Sequence, residues 1–143
     1  MVLNRSARLI TGITRRERIT PVLIDLHWLP MKARIEYKIC VLTFNAINTG
    51  KPKYLKDMVE NLNIRSDMRI KHTRDRHRLF EPRYSKNIGR RSFRNCAPRL
   101  YNKLPSEIKD ENSIVSFKKK LKTHLFQKCY DLNDKKINDK YKL

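Results

Sequence analysis

Apolar residues recur at helical spacing through the first part of the chain, the rhythm then fails in a basic stretch, and it returns toward the C-terminal end. In "LNRSARLITG", Leu3, Ala7 and Ile10 share one helical face and Gly12 supplies the stop. In "ITPVLIDLHW", Thr20 can cap a helix whose first position is Pro21, where the missing N–H costs nothing, so a short helix from about Pro21 to His27 is expected. The same logic places helix starts at Pro30 and Pro52. After Pro30, Met31, Ile35, Ile39, Leu42 and Ala46 form a stripe, widened by Cys40, Val41, Phe44 and Ile47. This helix should run to Asn48, form the centre of the core, stop near Gly50 and show Lys32, Arg34 and Lys38 to solvent. A further turn or two after Pro52 carries Tyr54, Leu55, Met58 and Val59 inward.

From Asn61 to Arg78 the periodicity disappears, which predicts a mobile connector. "RLFEPRYSKNIGRRSF" then offers short apolar pairs broken by Pro82 and Gly89, hence at most short extended segments. Cys96, Leu100, Tyr101 and Leu104 predict a brief helix from about Ala97 to Lys103. "NSIVSFKKKLKTHLFQK" predicts a terminal helix capped by Ser113, with Ile114, Phe117, Leu121 and Leu125 on one face. The tail from Asp131, rich in Asn, Asp and Lys, is expected to be disordered. The fold class is therefore mostly α: a small helical module with an irregular basic connector and at most short strands. It divides into an N-terminal helical part of the core over 1–62, a connector over 63–92, C-terminal helices over 93–128 and a tail over 129–143.

Composition sharpens this picture. The 143 residues leave room for one domain and one modest core. Apolar residues make up 39% and charged residues 34%, below and above the ordinary globular shares, so part of the chain should lie outside a packed core. Lys and Arg number 34 against 14 Asp and Glu, a net charge of +20. A field of that sign attracts polyanions, which makes nucleic acid or an acidic membrane surface the natural partner. The sequence holds no apolar run of membrane-spanning length and no signal-type apolar segment near Met1, so an intracellular protein, nuclear or cytoplasmic, with no membrane partner is expected. Cys40, Cys96 and Cys129 are odd in number and far apart, as for buried or inert reduced thiols.

No reaction centre is visible. Asp110 and Glu111 are adjacent acids in an expected loop with no third carboxylate obviously placed to join them, unlike a two-metal site; they read as solvated charges ahead of a helix. Gly12, Gly50 and Gly89 are isolated, so no loop cradles a nucleotide phosphate. The pairs His72 with His77 and His124 with Cys129 have no complementary pair for zinc, and no nucleophile elbow is present. No catalytic residue, metal or cofactor is expected.

The segment from Arg65 to Arg99 carries twelve Lys and Arg against three acids. Guanidinium forks match phosphate geometry, and Arg83, Lys86, Arg90, Arg91, Arg94 and Arg99 are the expected phosphate contacts. Interleaved Phe80, Tyr84 and Phe93 could offer faces for stacked bases, although Phe93 fits better as an inward-packing ring. Trp28 reads as a core anchor closing the corner between two helices, and His27 as a boundary histidine. A helix-turn-helix reader fits poorly, because its second helix is too apolar to lie exposed in a groove.

The order of five blocks adds a family likeness. "NRSARLITG", "ITPVLIDLHWLPMKARIEYKICVLTFNAIN", "PKYL", "RRSFRNCAPRLYNKLP" and "SFKKKLKTHLF" together resemble the C-terminal segment of reverse transcriptases of LINE-type, non-LTR retrotransposons, similar to the jockey-like mobile-element polymerases. The likeness spans about Asn4 to Phe126. It implies a piece downstream of the polymerase palm and thumb. The family's palm carries an aromatic-Ala-Asp-Asp motif, often with an endonuclease ahead of it, and this sequence contains neither. RNA-directed DNA synthesis is thus implied for a parent protein, with no catalytic residue transferred to this chain.

Three expectations compete. The first is a non-catalytic, basic fragment of such an enzyme that binds RNA or DNA phosphates without sequence preference. In the second, a helical docking segment packs on the missing polymerase thumb of the upstream reverse transcriptase domain, betrayed by a large exposed apolar patch. The third is an inert transposon relic, betrayed by the absence of cooperative unfolding.

Overall fold

The computed structural model of the chain describes residues 2–59 and 77–130. Among them are the helices α1 (Val2–Thr11), α2 (Ile19–Asp25), α3 (Met31–Asn48), α4 (Lys53–Met58), α5 (Asn87–Arg91), α6 (Phe93–Tyr101), α7 (Ser106–Lys109) and α8 (Ile114–Tyr130). Extended pairing among the described residues is limited to a single bridge position, Leu79, so the fold is mostly α. The expected connector from Asn61 lies almost wholly outside the described residues, as do His72 and the tail from Asp131.

The chain forms two compact units. One joins residues 1–35 to residues from Lys122 onward; the other spans Glu36–Leu121. In the first, Ala7, Val22, Leu23 and Tyr130 make a buried cluster flanked by Ile13, Ile19, Ile24, Leu26, Trp28 and Phe126. α1 stops where expected, at Gly12 with φ +70, a conformation glycine adopts without a Cβ penalty. α2 starts earlier than expected: Arg18 is its N-cap, Thr20 lies inside it without capping, and Pro21 is the third residue, where an N–H would still lack an intrahelical partner.

The end of α2 explains the lone tryptophan. The Trp28 N–H donates to the Leu23 carbonyl at 2.8 Å and the His27 N–H to the Ile24 carbonyl at 2.9 Å. His27 has φ +50. These paired bonds with a left-handed residue between them form a Schellman motif, which brings the residue after the turn onto the last helical turn. Trp28 therefore joins the cluster containing Leu23, and its carbonyl accepts the Tyr130 hydroxyl at 2.7 Å. His27, unusual in a position that favours glycine, stacks on Phe126 with centroids 5.6 Å apart.

The second unit is built around aromatic rings. Phe117, fully buried, stacks on Phe44 at 4.1 Å and lies 6.4 Å from Tyr101. Leu55, Leu79, Cys96, Ala97, Leu104, Ile108 and Leu121 are buried in the same unit. Thr43 is buried too, with its hydroxyl donating to the Ile39 carbonyl at 2.8 Å. α8 matches its expected face: Phe117, Leu121 and Leu125 are buried, Ile114 is half-buried, and Ser113 precedes the helix with its hydroxyl 3.3 Å from the Val115 N–H.

α3 has the expected bounds but a rotated face. Ala33, Cys40, Val41, Phe44 and Ala46 are buried, whereas Met31, Ile35 and Leu42 are 44%, 54% and 40% exposed. Leu55 of α4 and Val59, its C-cap, turn inward while Tyr54 and Met58 stay exposed. The Arg78 to Phe93 stretch departs from the expected extended segments by winding α5 at Asn87–Arg91. α6 begins at Phe93, earlier than the expected start near Ala97, and holds Pro98 inside it; α7 winds a short helix just ahead of the loop that carries Asp110 and Glu111.

Candidate nucleic-acid interface

Five of the six basic residues expected to contact phosphate lie on or just before the α5–α6 corner. Ser92 alone separates the helices, serving as C-cap of one and N-cap of the other, with φ −62 and ψ 149. An extended residue between two helical stretches redirects the chain, and the corner is then held by one carbonyl. Gly89 O accepts from the Ser92 N–H at 3.2 Å, the Ser92 hydroxyl at 2.8 Å and the Asn95 amide nitrogen at 2.6 Å. Asn95 Nδ2 also lies 3.2 Å from Ser92 Oγ. Two facing oxygens select the amide nitrogen rather than its oxygen, leaving Asn95 Oδ1 buried without a hydrogen-bond partner among the described residues. Gly89 faces Tyr84 so closely that an added Cβ would stand 3.3 Å from the Tyr84 Cβ.

α6 fastens this corner to the second unit by burying Cys96, Ala97, Pro98 and Tyr101. A side-chain amide fastens the strand of chain before it. Asn102 Oδ1 accepts from the Leu79 N–H at 2.9 Å, and its Nδ2 donates to the Leu79 carbonyl at 2.9 Å and to Glu81 Oε1 at 2.8 Å. The amide thus does for Leu79 what a neighbouring strand would do. Nearby, His77 pairs with Asp110 at 3.0 Å and Glu111 pairs with Lys120. The two adjacent acids are engaged separately, and the described residues hold no cluster of His, Cys, Asp or Glu suited to a metal ion.

Arg83, Lys86, Arg90, Arg91 and Arg94 are all exposed. Lys86 is the N-cap of α5, Arg90 and Arg91 form its last turn, and Arg94 lies in the first turn of α6. Arg83, Lys86, Arg90 and Arg91 make no ion pair with any described residue. Arg99 differs: it is half-buried, and five residues after Arg94 it projects about 140° further round the helix. It faces the Cys96 side, where its charge partly offsets the burial that pushes the Cys96 thiol above its ordinary range. The structure thus groups five of the six expected contacts along one run of chain and turns Arg99 elsewhere.

Burial raises the Cys96 thiol above its ordinary range, and Cys40 is buried as well, while Cys129 is exposed. Of the aromatic residues, Tyr84 is exposed beside the corner, while Phe80 and Phe93 are half-buried. Lys118 and Lys119 on α8 are exposed basic residues omitted from the expected contacts. Their signal was the Lys run out of phase with the Phe117–Leu121 face. Asn95 and Asn102 position the corner and carry no sequence signal, because their partners are set by the fold. No protein-family model, curated protein or solved structure matches the chain.

Proposed function

We propose that this chain is a non-catalytic, nucleic-acid-binding helical part of a LINE-type reverse transcriptase, holding RNA or DNA by its phosphates. The family reading rests on the five ordered blocks of sequence. The binding reading rests on one observation: residues 77–103 hold eight Lys and Arg against Glu81 alone, with Arg83, Lys86, Arg90, Arg91 and Arg94 exposed along a hydrogen-bonded corner. Phosphates are the complement of that arrangement, since a braced backbone limits the ordering cost of presenting several cations together.

Five phosphate contacts imply a slope near −4.5 for log K against log salt on duplex DNA, from about −0.9 per contact. Fluorescence anisotropy with a labelled duplex and a labelled single strand, across a salt series, measures it. Arg90→Gln with Arg91→Gln should flatten the slope by about 2, whereas Arg99→Gln should leave it nearly unchanged. Affinity independent of salt, or a double variant that binds like the parent, would end the proposal.

A further inference from the structure

The basic corner also carries apolar surface that phosphates alone would leave uncovered. Tyr84 is 44% exposed and Ile88 84% exposed, both inside the run that holds Arg83, Lys86, Arg90 and Arg91. Tyr84 is held at its root and open at its ring. Its Cβ stands 3.3 Å from the place a Gly89 Cβ would occupy, so the missing side chain at Gly89 is what lets the tyrosine lie against α5. Gly89 is fixed in turn, because its carbonyl accepts from the Ser92 hydroxyl at 2.8 Å and the Asn95 amide at 2.6 Å. Among the described residues the Tyr84 ring pairs with no other aromatic ring, whereas Phe44, Tyr101, Phe117, Phe126 and Tyr130 all do.

We infer that the corner takes single-stranded RNA or DNA, with a base stacked on Tyr84 and the adjoining phosphates on Arg83, Lys86, Arg90 and Arg91. This rests on the phosphate reading above and adds the class of strand. In a duplex each base face is covered by its neighbours and the outside presents phosphate and sugar, so Tyr84 and Ile88 would be set against charge. A single strand leaves its base faces open beside its phosphates, and every base has such a face, so no sequence preference follows. Tyr84 comes directly after Arg83 and two residues before Lys86, so a ring and cations are offered in alternation, as the strand offers bases and phosphates. A ring anchored at its Cβ also gives up little freedom on stacking. An acidic membrane fits less well, because five-residue α5 with two exposed apolar neighbours presents no continuous apolar face to bury among lipids.

The test is fluorescence anisotropy on the full chain with labelled oligouridine and oligothymidine strands, an abasic strand of the same length and a duplex. At equal, near-physiological salt the base-bearing strands should bind about tenfold more tightly than the abasic strand, the worth of one stacked base, and more tightly than the duplex. The tighter of the two base-bearing strands identifies the sugar. Tyr84→Ala should bring base-bearing and abasic strands to within about twofold of each other and leave the salt slope on single strands near −3.5, about −0.7 for each of five contacts. Tyr84→Phe, which keeps the ring face, should bind like the parent. Where Tyr84→Ala disturbs the corner, the abasic comparison on the parent chain decides alone. Equal affinity of the parent for abasic and base-bearing strands, or preference for the duplex, overturns the single-strand assignment while a steep salt slope leaves the phosphate reading standing. A flat slope ends both. Phosphatidylserine-vesicle binding that Tyr84→Ala abolishes, with no discrimination among strands, overturns it in favour of a membrane.

Discussion

Replacing Asn102 with alanine removes the amide that pairs with both backbone groups of Leu79 and with Glu81. Leu79 is 1% exposed, so its N–H and carbonyl would have little water to turn to. Two neutral hydrogen bonds contribute about 1 kcal/mol each, and unpaired buried groups add a desolvation penalty, so N102A should cost about 2–4 kcal/mol. With a urea m-value of about 2 kcal/mol/M, the unfolding midpoint should fall by about 1–2 M. The Leu79 amide should also exchange with solvent faster, since its donor bond is gone. Asn102→Asp separates geometry from size. Its carboxylate still accepts from the Leu79 N–H, but it sets negative charge against the Leu79 carbonyl and Glu81. Its stability should recover toward parental as pH falls through the carboxylate range near 4, while N102A shows no such recovery. A midpoint shift in N102A below about 0.3 M would refute the view that this amide replaces a strand.

Phe117→Ala empties the stacking position against Phe44 and should cost about 3–5 kcal/mol by urea unfolding, against under about 2 kcal/mol for Phe117→Leu. Burial, with the neighbouring Cys129, raises the Tyr130 phenol above its ordinary value of about 10. The unfolded phenol therefore ionises first, and stability should fall as pH rises through 10 toward the folded value; Tyr130→Phe should lose about 1 kcal/mol at neutral pH and that alkaline fall together. Burial, and then the Lys128 charge, lower the His124 imidazole. Its contribution is intact above the unfolded value near 6.5 and is lost as pH drops through the folded value, so thermal scans of His124→Gln should show a shallower decline over that acid range.

Local chemistry was enough to read the helices whose signals are local. Gly12 stops α1 and Gly50, with φ +67, follows α3, because a left-handed position after a helix suits glycine. Phe117, Leu121 and Leu125 lie on one face of α8, as their spacing alone requires. The charge of the Arg83 to Arg94 stretch is likewise a property of composition, and side chains of that kind stay at the surface wherever the backbone goes.

Tertiary packing decided the rest. α3 carries two overlapping apolar stripes, and within the second unit the one through Cys40, Val41 and Phe44 is buried, with a ring on another helix, Phe117, stacked on Phe44. Spacing cannot choose between such stripes, since the choice depends on the shape of the opposing surface. The Tyr130 hydroxyl reaches Trp28 across 102 residues, and Asn102 reaches Leu79 across 23. Those partners become neighbours only when the chain has folded, and a hydrogen bond between distant residues leaves no periodic trace in the sequence. The same reason hid α5 and α7: helices this short gain too little from their own backbone bonds and depend on the surfaces around them.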